Sequence, residues 1–148
     1  MNTALIEALE AVLADSYALY LKTQNYHWNV EGPHFVQLHT LFEEQYTDLA
    51  EAVDTIAELI RSLGAKAPGT FAAFSEKTSI VPGNADAGAD AMVAELADDQ
   101  QVISRSLQQA LEAAQHAGDE VAIGLLVERM TVHRKNAWML RSSVQPRR

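Results

Sequence analysis

The chain has 148 residues, 48% of them hydrophobic, seven glycines and a net charge of −9. One domain of this size and apolar content can bury a real core, which excludes a disordered chain. Cysteine is absent, so a disulfide framework, a thiolate zinc site and a cysteine nucleophile are excluded as well.

The opening stretch MNTALIEALEAVLADSYALYLK carries Glu7, Glu10 and Asp15 and no basic leader, so it reads as structure rather than as a signal peptide. No uninterrupted apolar run reaches membrane-spanning length, and the expectation is a cytoplasmic protein. Leu5, Leu9, Val12, Leu13, Tyr17, Tyr20 and Leu21 recur at helical spacing, which predicts a first helix from Thr3 to about Val30. Gly32 and Pro33 end it, and Pro33 suits the first turn of the next. The second helix runs to about Leu63 on a stripe of Leu38, Phe42, Leu49, Val53, Ile56 and Ile60, with Gly64 as its C′ residue.

Residues 64–86 form a long connection broken by Gly64, Pro68, Gly69, Pro82 and Gly83, with a short helix expected around Phe71–Ser75. A third long helix is predicted from near Asp86 to about Ala117, ending at Gly118. Asp119 then caps a fourth, through Leu125, Leu126, Met130 and Trp138 to about Ser142. Met92, Met130 and Met139 read as core filler. Nothing alternates at period two. Four long helices with one long crossover describe an all-α, ferritin-like four-helix bundle, with a short helix in the crossover between the second and third. The whole chain, 1–148, reads as one such domain ending in a short basic tail at 142–148.

Charge is unevenly placed. All 20 acidic residues lie before residue 129, whereas Arg129, Arg134, Lys135, Arg141, Arg147 and Arg148 crowd the end. An acidic body suits metal cations and repels nucleic acid; the basic end could do the opposite.

The chemistry-bearing residues sit on the first two helices. His39 and Glu43 are four apart on the second helix, as are Asp54 and Glu58, so each pair shares a face. His27 lies near the end of the first helix. Imidazole with carboxylate suits iron, and equally zinc or manganese. His39 and Asp54 are 15 residues apart with no Gly or Pro between them, and on a continuous helix that is roughly 22 Å. One ion cannot bridge that gap. Either the pairs are unrelated, or two copies of this helix meet antiparallel across an axis near Tyr46–Thr47, which would build two identical sites per dimer.

The pattern His27-Trp28-Asn29-Val30-x-Gly32, then Phe35-x-x-Leu38-His39, then Asp54-x-x-x-Glu58 resembles the Dps family of miniferritins, and the likeness reaches Ala137-Trp138-Met139-Leu140-Arg141. The resemblance implies a hollow homododecamer in which His27 and His39 of one subunit face Asp54 and Glu58 of its partner at a ferroxidase site. Glu43 stands where the family often has an acidic group for a second iron. It also implies oxidation of Fe(II) by hydrogen peroxide without hydroxyl radical, storage of the ferric mineral inside the shell, and protection of DNA by that route. Entry pores lined by Asp119, Glu120 and Glu128 would follow, although Arg134 stands where an acid is common. Trp28 reads equally as a local electron donor and as a packed interface aromatic.

Other readings carry less. His34, His116 and His133 have no partners at ligand spacing and receive no function. Glu31-Gly32-Pro33-His34 spells the Glu-x-x-His string of di-iron bundles, but Gly-Pro inside it forbids the shared helical face that string requires. Direct DNA binding would have to use the arginines of Ser142–Arg148, because the chain lacks a lysine-rich N-terminal arm; this weighs against it. A metal-binding shell without turnover is the remaining alternative.

Overall fold

The structure, a computed structural model describing residues 2–144, is built from five helices in chain order: α1 (Thr3–Asn29), α2 (Phe35–Ser62), α3 (Phe71–Lys77), α4 (Ala89–Ala117) and α5 (Glu120–Arg141). It contains no strand among the described residues. The four long helices make the expected bundle: α1 packs along α2 and α4, α5 packs along α4, and α3 lies on α1. No helix among the described residues is long and apolar enough to cross a membrane.

Each boundary has a local cause. Asn2 caps α1 by accepting from the Leu5 amide, Thr70 caps α3 through Ala73, and Asp119 caps α5 through Ala122. Gly118 closes α4 at φ +67°, in the left-handed region where a side chain would be strained. Pro33 falls in a turn before α2 rather than in its first helical turn, because Gly32 at φ +120° swings the chain through a sharper bend than a helix entry needs. The crossover helix extends to Lys77, two residues past the expected end, and α4 begins at Ala89, three residues later than expected.

The core joins Leu5, Leu9, Val12, Leu13 and Leu19 of α1 to Leu38, Phe42, Leu49, Ile56 and Ile60 of α2. Met92, Leu96, Ile103 and Leu107 of α4 and Leu126 and Leu140 of α5 complete it. Two residues expected on core stripes lie outside: Leu21 is 49% exposed and Trp138 61% exposed. Leu19, two residues before Leu21 and so on another helical face, takes the buried place, and Leu140 does the same for Trp138. Met92 is core as expected, while Met130 and Met139 are only half-buried.

The long crossover is tied down by one carboxylate. Buried Asp15 of α1 accepts from the Thr78 hydroxyl and the Ser79 amide through Oδ1, each at 2.7 Å, and from the Ser106 hydroxyl through Oδ2. Three donors leave that buried charge fully engaged. Of the basic tail, Ser142–Val144 follow the end of α5, and Gln145–Arg148 lie outside the described residues.

Candidate metal centre

The bend at Gly32 folds the start of α2 back on the end of α1, and this brings His27 and His39 together. Their rings stack at 3.7 Å between centroids, 15° from parallel. His27 Nδ1 donates to the His39 carbonyl and His39 Nδ1 donates to the His27 carbonyl, both at 2.6 Å. A carbonyl can only accept, so each ring must carry its proton on Nδ1. In the neutral form of each ring Nε2 then keeps the lone pair, the tautomer a metal-binding imidazole requires. The edge of Tyr46 packs on His27 at 5.1 Å, and Phe35 lies on the other ring, 4.9 Å from His39. His27 is buried and His39 half-buried, so both rings are held.

Asp54 and Glu58 stand elsewhere on α2, both exposed. With about 100° per residue, they project away from the Leu38, Leu49 and Ile56 stripe that α2 buries. Glu58 is raised above its ordinary range, first by a hydrogen bond with Asp54 and next by that carboxylate's charge. The two carboxylates repel each other, and a cation between them would relieve that repulsion. Glu43 is exposed too, and borders an open hollow with Glu44, Thr47, Asp48 and Glu51. Within one chain the two histidines thus meet each other, the two acids meet each other, and the pairs stay apart. Among the described residues no three His, Asp or Glu side chains of one chain come close enough to hold an ion.

A second polar cluster was not legible in the sequence. Arg129 of α5 donates through both terminal nitrogens to Asp48 of α2, at 3.1 and 2.9 Å. It also donates to His133 Nε2 at 3.2 Å, and His133 Nδ1 donates to Gln100 Oε1 at 2.8 Å. Burial, with the Arg129 charge adding to it, lowers the His133 pKa to about 3, so the ring is neutral. This chain of contacts pins α2, α4 and α5 together and makes His133 a structural residue. Across the bundle Lys22 meets Asp99 at 2.9 Å and Glu95 at 3.5 Å. Of the acids expected at a pore, Asp119 is engaged as the α5 cap, while Glu120 and Glu128 are exposed, as is Arg134.

The family model described as a ferritin-like domain matches residues 6–147. DNA protection during starvation protein 2 of Bacillus anthracis is 38% identical over 142 residues, spanning 96% of this chain and 97% of that protein. The chain belongs to the Dps family. A Dps structure from Bacillus brevis superposes with a TM-score of 0.94 at 33% identity, over 97% of each chain. The Dps of Vibrio cholerae O1, described as a member of a broad superfamily of ferritin-like diiron-carboxylate proteins, superposes at 0.93 with 30% identity, over 97% of this chain and 91% of that one. The Dps fold therefore covers nearly all of the described residues, with the stacked histidines at the α1–α2 bend and the paired acids further along α2.

Proposed function

We propose that this protein is a ferroxidase and iron-storage shell that consumes Fe(II) and hydrogen peroxide together. The observation that carries the reading is the reciprocal hydrogen bonding of His27 and His39. It fixes both rings with Nε2 free for metal, on a chain whose paired carboxylates lie roughly 22 Å away along the same helix. Both pairs serve one ion only if two copies of α2 run antiparallel, so that His27 and His39 of one protomer face Asp54 and Glu58 of its partner. A closed homododecamer with such sites at its two-fold interfaces is the assembly the family resemblance supports.

The division of labour follows from the side chains. Neutral imidazoles donate without adding charge, and Asp54 with Glu58 offsets the charge of Fe(II). Four protein ligands of this kind leave coordination positions open for oxidant and for a second iron. Glu43, on the helix turn after His39, is the acid placed to help hold that second ion. Peroxide needs two electrons and two protons to become two waters; two Fe(II) ions supply one electron each and become Fe(III), so no hydroxyl radical is released. The same ligands accept zinc or manganese, but only iron offers this redox step. DNA would be protected because both reactants of radical chemistry are removed. Similarity to relatives named for DNA protection supports that consequence without requiring contact with DNA.

The test is to load the purified assembly anaerobically with Fe(II), add substoichiometric peroxide, and follow ferric absorbance. Rapid oxidation of about two Fe(II) per peroxide is expected, with loss of the fast phase in His39→Ala and in Asp54→Ala. A rate no greater than that in buffer would overturn the ferroxidase reading and leave a metal-binding shell.

A further inference from the structure

The C-terminal half of α5 carries a basic face that enters no ion pair. Arg134 and Arg141 are both exposed, and neither is joined to an acid among the described residues. They stand seven residues apart, nearly two helical turns, so they share a face at roughly 10 Å along the axis. Ala137 lies between them, three residues after one and four before the other. Its single methyl group leaves a gap that the two long side chains flank. The gap opens into a hollow of about 230 Å³ between α5 and α4, where Gln101 and Ser104 of α4 form the facing wall.

Among the described residues no carboxylate lines this hollow, which in a chain of net charge −9 is a local inversion of sign. The groove between α2 and α5 and the open hollow on α2 are instead bordered by Asp48, Glu51, Glu128, Glu43 and Glu44. The floor of the α4–α5 hollow is fixed by hydrogen bonds. Buried His133 donates through Nδ1 to Gln100 Oε1 and accepts from Arg129 at Nε2, while Gln100 Nε2 donates to the Leu96 carbonyl at 3.2 Å. With their polar atoms engaged, these two side chains shape the floor. The groups left to meet a ligand are the two guanidinium groups, the Gln101 amide and the Ser104 hydroxyl. That hydroxyl donates to the Gln100 carbonyl at 2.7 Å and is free to rotate toward a stronger acceptor.

We propose that the α4–α5 hollow binds a free tetrahedral oxyanion of the phosphate class. Arg134 and Arg141 flank it with planar donor forks that match an edge of such an anion. Gln101 and Ser104 donate from the other helix. Donors on several sides suit an ion whose oxygens accept in several directions, and a carboxylate offers only one edge. The hollow is compact rather than an extended track, and the acidic body repels a polyanion, so the occupant is a free ion and not a nucleic-acid backbone. Binding offsets the repulsion between the two arginines and ties the end of α5 to α4. The hollow shares no residue with the paired histidines or the paired carboxylates, so it stands whether or not the ferroxidase reading holds.

The purified, metal-free protein is titrated with inorganic phosphate in chloride buffer, and binding is read by phosphorus NMR line width and by calorimetry. One saturable site per chain is expected, with sulfate competing for it. Arg134→Gln and Arg141→Gln are each expected to weaken binding at least about tenfold, the loss of one charge-assisted partner. Both positions are exposed, so circular dichroism of the variants should match wild type. Arg134→Lys keeps the charge without the fork and should recover part of the affinity. Arg61→Gln, on α2 and outside the hollow, is expected to bind as wild type does. Phosphate binding that never saturates, or that is equal in wild type and both glutamine variants, overturns the site. A parallel titration uses a short DNA duplex. If the arginine variants lose the duplex while their phosphate binding is unchanged, the face contacts nucleic acid and the free-anion site falls.

Discussion

At the scale of single residues, two proton positions matter, one at the candidate site and one in the core. The first lies between Asp54 and Glu58, where the hydrogen bond and charge of Asp54 raise the Glu58 carboxyl above its usual range. In the proposed ferroxidase Fe(II) competes with protons for that pair, so anaerobic binding should weaken and release more protons as pH falls into the carboxylate range. Calorimetry in two buffers of different ionisation enthalpy would read the release; binding without pH dependence would contradict it. The second position is His133, which titrates near 6.5 when exposed and near 3 when folded. Between those values the unfolded chain holds the extra proton. The stability contributed by the neutral ring is therefore complete above pH 6.5 and is lost as pH falls toward 3, by roughly 3–5 kcal/mol. Urea midpoints between pH 7 and 4 should fall more steeply for wild type than for His133→Gln. Parallel curves would show that the ring is not buried neutral.

At the scale of elements, the helices and their ends were legible because the signals are local. Asp119 before α5 and Gly118 after α4 act through bonds within one turn, and the apolar stripes repeat at the helical period. What sequence did not reveal depends on partners far along the chain. Asp15 reaches Thr78, Ser79 and Ser106; Arg129 reaches Asp48; no spacing rule connects such residues. Trp138 and Leu21 misled for a related reason, since a periodic stripe defines a face and only its centre is buried. The crossover shows how a long loop is held by polar contacts. Asp15→Ala would leave the Thr78, Ser79 and Ser106 donors without their acceptor and should cost about 2–3 kcal/mol. Trypsin should then cut after Lys77, next to the released segment, faster than in wild type. An unchanged cleavage rate would mean the crossover is held by its apolar contacts alone.

At the scale of the whole molecule, a single chain is chemically unfinished. His27 and His39 offer two fixed nitrogens at the bend, and Asp54 and Glu58 offer paired oxygens far along α2, with no third ligand beside either pair among the described residues. Leu21, Trp28 and Phe71 stand exposed near the same end of α1 and the crossover, an apolar surface larger than scattered residues would make. The candidate ligands were legible in sequence as a spacing, and the impossibility of joining them within one helix was legible as a length. The ring tautomers were not, because they depend on which atoms meet across the Gly32 bend. Each proposed site is assembled from two protomers, and mixed assemblies test this most directly. His39→Ala and Asp54→Ala chains, unfolded together and refolded as one population, should recover about a quarter of the wild-type sites, since half of the random dimers are mixed and each restores one site of two. Recovered peroxide-dependent Fe(II) oxidation near that fraction, from two variants inactive alone, is the predicted result. A mixture as inactive as its parents would mean that histidines and acids do not serve one site across the interface.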